Sequence, residues 1–207
     1  MTIATYSELV TEMGDWLNRS DLSAKIPTFI RLFESRMNRL LRTPEMEQTA
    51  TITTLAGTEA YALPTWFREA RQVYIAAVPR INLTPMSPQS LRTEFTGQES
   101  ANSQAYALLG EQIVLAPVPT ESDTLTIVYY RTLAGLDSGN ASNWLLDNHP
   151  DAYLYGSLAE AYAYLKDEES AASYKSLSDE AVAQIRDDAN RKRVPGGPLA
   201  TRPAVIE

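Results

Sequence analysis

The sequence predicts an α+β fold in which terminal α-helices form a helical bundle and a mostly antiparallel β-sheet lobe is inserted between them. Three observations carry this. Apolar residues recur at spacings of three and four only toward the two ends, in 1–45 and 143–193. Residues 46–142 switch to β-branched and alternating stretches separated by Pro and Gly, which suits about five or six strands and one short helix. No internal repeat interrupts this order. Residues 194–207 stand apart as an extended C-terminal tail, rich in Pro and poor in apolar side chains.

The first helix opens on a capping box, Thr5 with Glu8, and runs to Leu17 with Leu9, Met13, Trp16 and Leu17 on one face. Asn18 to Ser23 is a polar break. Pro27 sits in the first turn of a second helix, whose stripe of Ile26, Phe29, Ile30, Phe33, Met37, Leu40 and Leu41 has the 3.6-residue period and ends near Arg42. Arg31, Glu34 and Ser35 are expected to face away from that stripe.

In the lobe, strands are expected over Thr49 to Leu55, Ala60 to Leu63, Arg71 to Ala77 and Ile81 to Thr84. Ser87 followed by Pro88 starts a short helix to about Phe95. Gly97 to Ser103 reads as a polar loop. Tyr106 to Leu109 and Ile113 to Leu115 form a hairpin, whose Gly110-Glu111 pair matches a two-residue II′ turn. Leu125 to Arg131 is a further strand, and Leu133 to Ser142 a loop.

Residues 143–193 are expected to form an antiparallel helix pair. Pro150 suits a first-turn position, with Asp147 or Asn148 supplying the cap. Ala152, Tyr155, Gly156, Ala159, Tyr162 and Ala163 share one face; Leu154, Leu158, Ala161 and Leu165 share another. Only Ser157 and Glu160, framed by Tyr153 and Tyr164, read as a polar stripe. A helix apolar on nearly all sides is either central or turned toward another chain. The second helix follows Asp167 as N-cap and carries Tyr174, Leu177, Ala181, Ile185 and Ala189 on a narrow face. Asp187 with Arg191, and Asp188 with Lys192, are spaced as i,i+4 pairs. Arg191, Lys192 and Arg193 complement the helix dipole, and the Pro195–Pro198 run ends the helix.

Composition excludes several function classes. The chain has no cysteine and one histidine, which argues against a zinc or iron–sulfur site and leaves no disulfide; no cofactor is expected. No apolar run is long enough to span a membrane. The first ten residues lack the basic and apolar regions of a signal peptide. A net charge of −8 argues against wrapping nucleic acid directly. No P-loop, G-x-S-x-G or H-E-x-x-H pattern occurs. Glu8, Glu12 and Asp15 read as a solvated helix face, and His149 as a capping or surface group. Trp16, Trp66 and Trp144 are expected to anchor the core, with an interface role second. Arg31, Arg36, Arg39 and Arg42 give the second helix a basic side. That side, like Arg191, Lys192 and Arg193, serves either solubility and dipole compensation or contact with an acidic neighbour or passing DNA.

The run YSELVTEMGDWLNRSDLSAKIPTFIRLFESRMNRLLR resembles the start of head-to-tail adaptor proteins of tailed bacteriophages, also described as connector or neck proteins. The run HPDAYLYGSLAEAYAYL, followed by D-E-E-x-A-x-x-Y, is similar to the closing helices of the same family. The resemblance spans most of the chain to about Arg193, and its motifs are packing motifs. It implies a structural virion protein without catalysis, located at the head–tail junction and in the host cytoplasm before assembly. It implies a ring, usually of twelve copies, that binds the portal protein on one side and a tail or nozzle (stopper) protein on the other, with double-stranded DNA passing through the centre and no membrane contact. It also implies that the tail, with Pro195 and Pro198, extends along the portal. The first helix of the C-terminal pair has one apolar face more than its partner requires. Tyr155, Gly156, Ala159 and Tyr162, with Arg191, Lys192 and Arg193, are therefore candidates for a subunit or portal interface. Arg31, Arg36, Arg39 and Arg42 are candidates for channel or neighbour contact. Two other readings stay open: a helical-pair interaction module, since the pair resembles one tetratricopeptide unit, and a cell-wall hydrolase using Glu160 or Glu34 as acid.

Overall fold

The computed structural model describes residues 3–193, so expectations for Val194 onward, including Pro195 and Pro198, lie outside the described residues. In chain order the elements are α1 (Tyr6–Leu17), α2 (Ile26–Leu40), β1 (Glu47–Thr53), β2 (Ala60–Ala62), β3 (Phe67–Ile75), β4 (Ile81–Asn82), β5 (Thr84–Pro85) and α3 (Pro88–Glu94). There follow β6 (Glu99–Ser100), β7 (Ala105–Leu109), β8 (Gln112–Ala116), β9 (Val118–Pro119), β10 (Thr124–Arg131), α4 (Trp144–Asn148), α5 (Pro150–Tyr164) and α6 (Glu168–Arg193). The fold is α+β. Contacts divide the chain into a helical unit, Met1–Glu45 with Leu133–Glu207, and a sheet unit, Met46–Thr132.

The helical unit is built around α5. Ala152, Tyr153, Leu154, Gly156, Ser157, Leu158, Ala159 and Ala161 are all buried within the chain, so α5 is a central helix. Ser157, read from sequence as part of a polar stripe, is fully buried, as is Tyr153. Gly156 sits where α5 packs against α2 and α6. A Cβ there would stand 2.1 Å from Cδ2 of Phe33 on α2 and 3.0 Å from Oγ of Ser178 on α6. Only a glycine lets both neighbours approach.

Local chemistry sets the helix ends. The Thr5–Glu8 capping box forms, with Glu8 N–H donating to Thr5 Oγ1 at 3.3 Å and Thr5 N–H to Glu8 Oε2 at 3.0 Å. Asn18 closes α1 in the left-handed region at φ 47°. Asp167 caps α6 by accepting from Ser170 N–H at 3.1 Å. The expected cap of α5 is not formed. Asp147 and Asn148 belong to the separate short helix α4, and His149 precedes α5 without a side-chain capping bond. Asn143 caps α4 instead, its Oδ1 accepting from Leu145 and Leu146 N–H at 3.2 and 3.0 Å.

Two further expectations are corrected. The buried face of α6 keeps Ala181, Ile185 and Ala189 of the predicted stripe and adds Ser178 and Val182, while Tyr174 is half-buried and Leu177 exposed. The segment after Leu133, read as the end of the lobe, packs with the helices: Leu133 N–H donates to Asn38 Oδ1 at 2.7 Å, and Leu136 N–H to Glu34 Oε1 at 2.8 Å.

The sheet unit holds more strands than the five or six expected. Two four-stranded sheets, β1-β10-β3-β4 and β2-β8-β7-β5, accompany a two-stranded pair, β6-β9. The long pairings are antiparallel; β5 with β7 and β6 with β9 make short parallel contacts, so the presumed loop Gly97 to Ser103 contains β6. Both four-stranded sheets feed one core, with Ile113 and Leu115 meeting Val73, Ile75, Leu125 and Ile127. β10 is central in its sheet, which explains why Thr126 is buried beside the alternating Leu125, Ile127 and Tyr129. The β7–β8 hairpin closes at Leu109 opposite Gln112. Gly110 has φ 60° and Glu111 stays at negative φ, as a II′ turn demands.

Candidate functional site

Glu34 follows Phe33 on α2 and, contrary to the expectation that it faces solvent, is only 6% exposed. Its Oε1 accepts from Leu136 N–H at 2.8 Å and from the Tyr153 hydroxyl at 3.1 Å. The Tyr153 oxygen in turn accepts from Asn143 Nδ2 at 2.7 Å, and the same amide donates to Ala134 O at 2.7 Å. α2, α5 and the segment entering α4 are thus fastened at one buried point. Burial pushes the Glu34 carboxyl above the ordinary carboxylate range, against the pull of Leu136 N–H, Tyr153 and the nearby Arg31. Burial, with the Glu34 carboxyl beside it, pushes the Tyr153 hydroxyl up as well. A raised acid suits general-acid chemistry, but this one is enclosed: Oε2 lies against the backbone of Gly135, where a Cβ would meet it at 3.2 Å. Glu160, the other acid considered, is half-buried in a cleft of about 350 Å³ lined also by Arg36 and Lys175.

A second feature is aromatic. Trp16 of α1 lies 6.2 Å from Tyr155 and 6.1 Å from Tyr174 between ring centroids. Tyr174 stacks on Tyr162 at 5.2 Å and on Tyr155 at 6.4 Å. Trp16 donates through Nε1 to Glu12 Oε1 at 2.9 Å and is 42% exposed. Trp66, in the sheet unit, is 65% exposed with φ 65°. Neither tryptophan anchors a core, which corrects that expectation; Trp144 is half-buried and meets His149 edge-on.

The third feature is basic. Arg36 pairs with Asp179 of α6. Arg42 donates to Leu41 O at 2.7 Å and Asn38 O at 3.4 Å at the C-terminal end of α2, where the helix dipole favours a cation. Arg193 donates to Arg42 O, and Lys192 pairs with Glu45 rather than with Asp188. Arg191 reaches Asp188, three residues back, at 3.5 Å, instead of the predicted Asp187. The last turn of α6 is therefore tied to 42–45 by contacts between residues some 150 positions apart, which helical spacing cannot show. Beside it, Arg42, Arg186, Asn190 and Arg193 line a cleft of about 420 Å³. Arg31 and Arg39 are exposed.

Of the residues singled out in sequence, the structure thus joins Tyr155 and Tyr162 in one patch and buries Gly156 and Ala159 inside their own chain, against α2 and α6. No local sequence pattern joins Glu34 to Asn143 through Tyr153, or Trp16 to Tyr174. The one available signal was that Glu34 follows Ile30 by four residues, on the edge of the apolar stripe. Among the described residues no group of three or more His, Cys, Asp or Glu could hold a metal, and no helix is long and apolar enough to cross a membrane.

The terminal helices pack together, and the sheet unit is inserted between them in sequence. A family model described as SU10 adaptor protein matches residues 4–202. The chain belongs to the SU10 adaptor protein family. A comparison with curated proteins finds no match. As an SU10 adaptor-family protein it is a phage structural component that interacts with other virion components.

Proposed function

We propose that this protein is a head-to-tail adaptor. Twelve copies form a ring beneath the portal, the ring bridges portal and tail or nozzle protein, and the genome passes through its centre. The observation that carries this is the family match over 4–202, which includes both the helical unit and the inserted sheet unit. Two features of the helical unit support it. It is stiff, because α5 is buried on most of its circumference by helices of the same chain. It also presents unlike surfaces, an aromatic patch with carboxylates and an arginine-bearing helix face, as head-to-tail contacts in a ring require. The net charge of −8 keeps a DNA channel from gripping phosphate. The helical-pair module fits less well, since α5 is already covered by α1, α2 and α6 of its own chain and one helical pair falls short of the roughly three repeats that stacking needs.

The test is assembly. Purified protein is mixed with the rings of its cognate portal and imaged by electron cryomicroscopy. A closed ring of added density with twelvefold symmetry is expected. Portal rings that stay bare at saturating protein would refute the proposal.

A further inference from the structure

We infer that neighbouring subunits of the ring meet through the Trp16 patch of one copy and the outer face of α2 of the next; this rests on the ring reading above. The two surfaces flank the α5–α6 pair from different sides. On α6, Tyr174 meets Trp16 of α1, whereas Asp179 pairs with Arg36 of α2. Five residues separate Tyr174 from Asp179, which turns the helix by about 140° at 3.6 residues per turn. On α5, Tyr155 and Tyr162 face the Trp16 side, while Tyr164 meets Phe29 of α2 at 5.6 Å. A contact between two such surfaces cannot be self-complementary. It runs head to tail, as a closed ring needs.

The chemistry of the two surfaces matches. On α1, Glu12, Asp15 and Trp16 lie within about one turn, so an exposed indole is bordered by carboxylates. On α2, Leu32 is 49% exposed, and Arg39 stands two turns beyond it on nearly the same line, with Arg31 to one side. Leu32 is a large apolar side chain left in solvent between two cations. Against the patch it covers aromatic surface, while the Arg39 guanidinium reaches the indole face and the Asp15 carboxylate. In a chain of net charge −8, an arginine face finds its complement in the acidic surface of another copy. The occupant is therefore a second copy of this chain.

The chain contains no cysteine, so introduced thiols report one contact at a time. The double variant Asp15→Cys with Arg39→Cys, both exposed positions, is assembled on portal rings and treated with a short bismaleimide. Mass photometry measures ring formation independently. Denaturing gels are expected to show a ladder from dimer toward the full ring for the double variant and only monomer for each single variant. In parallel, Asp15→Arg or Arg39→Asp alone is expected to weaken assembly about tenfold, with the two together restoring it. Rings that form yet give no ladder and ignore both charge reversals overturn this contact while leaving the ring intact. That is also the outcome if the arginines face DNA instead. Wild-type protein that never forms rings on the portal overturns the ring reading itself, and this contact with it.

Discussion

Replacing Glu34 separates two roles of one buried carboxyl. Glu34→Ala removes the acceptor for both Leu136 N–H and the Tyr153 hydroxyl. Each orphaned buried donor costs about 1–3 kcal/mol, so the pair should cost about 2–6 kcal/mol. Glu34→Gln keeps an oxygen at the Oε1 position, where both bonds converge, and removes the ionisable group. Because burial raises the Glu34 carboxyl in the folded chain, the native state holds its proton more tightly than the unfolded chain does. Its contribution to stability is therefore fully present below the ordinary value of 4.5 and is lost as pH rises through the raised folded value. Glu34→Gln should then match or exceed wild type at neutral pH, and should lose less stability than wild type between pH 4.5 and neutrality. Urea unfolding followed by ellipticity at 222 nm (roughly, a report on the helices), repeated across pH, measures all three chains. If Glu34→Gln is as damaging at neutral pH as Glu34→Ala, the carboxylate is needed in charged form and the argument from burial fails.

Gly156→Ala should destabilise the helical unit by about 1–3 kcal/mol or more, because its Cβ would overlap buried Phe33; thermal melts read this, and an unchanged midpoint would show that the α2–α5 crossing can open freely. Asn143→Ala loses the cap of α4 and the bonds to Tyr153 and Ala134 together, so a loss of about 2 kcal/mol in urea unfolding is expected, more than a cap alone provides. Acid should act on the helix ends with the opposite sign to Glu34. The Glu8 carboxyl is held low by Ala4 N–H, Thr5 and their bonds, and that of Asp167 by Ser170. Their stabilising contributions are present above the ordinary values of 4.5 and 3.8 and are lost as pH falls through the lower folded values. Amide exchange at pH 3, referenced to intrinsic rates, should therefore rise in the first turns of α1 and α6 before it rises in α5; uniform loss of protection would contradict this.

The candidate surfaces were only partly legible. Tyr155 and Tyr162 stood out because they recur at helical spacing on α5. Their partners Trp16 and Tyr174 come from helices more than a hundred residues apart in sequence, and no local pattern joins them. The basic cluster at 191–193 was visible as charge, but its ties to Glu45 and Arg42 depend on where α6 ends relative to α2. The lobe was harder. Strands of two residues such as β5, β6 and β9 carry no periodicity, so pairing alone reveals them.

The sequence by itself determined the α+β class, the helix starts at Thr5, Ser87 and Asp167, the amphipathic face of α2 and the II′ turn at Gly110, because each follows from residues within a few positions of one another. Only the tertiary structure decided that α5 is covered from within its own chain, that Glu34 is an interior acid and that Trp16 and Leu32 remain at the surface. Burial depends on what approaches from elsewhere in the chain. An apolar stripe records that a face will be covered, and it does not record by which helix.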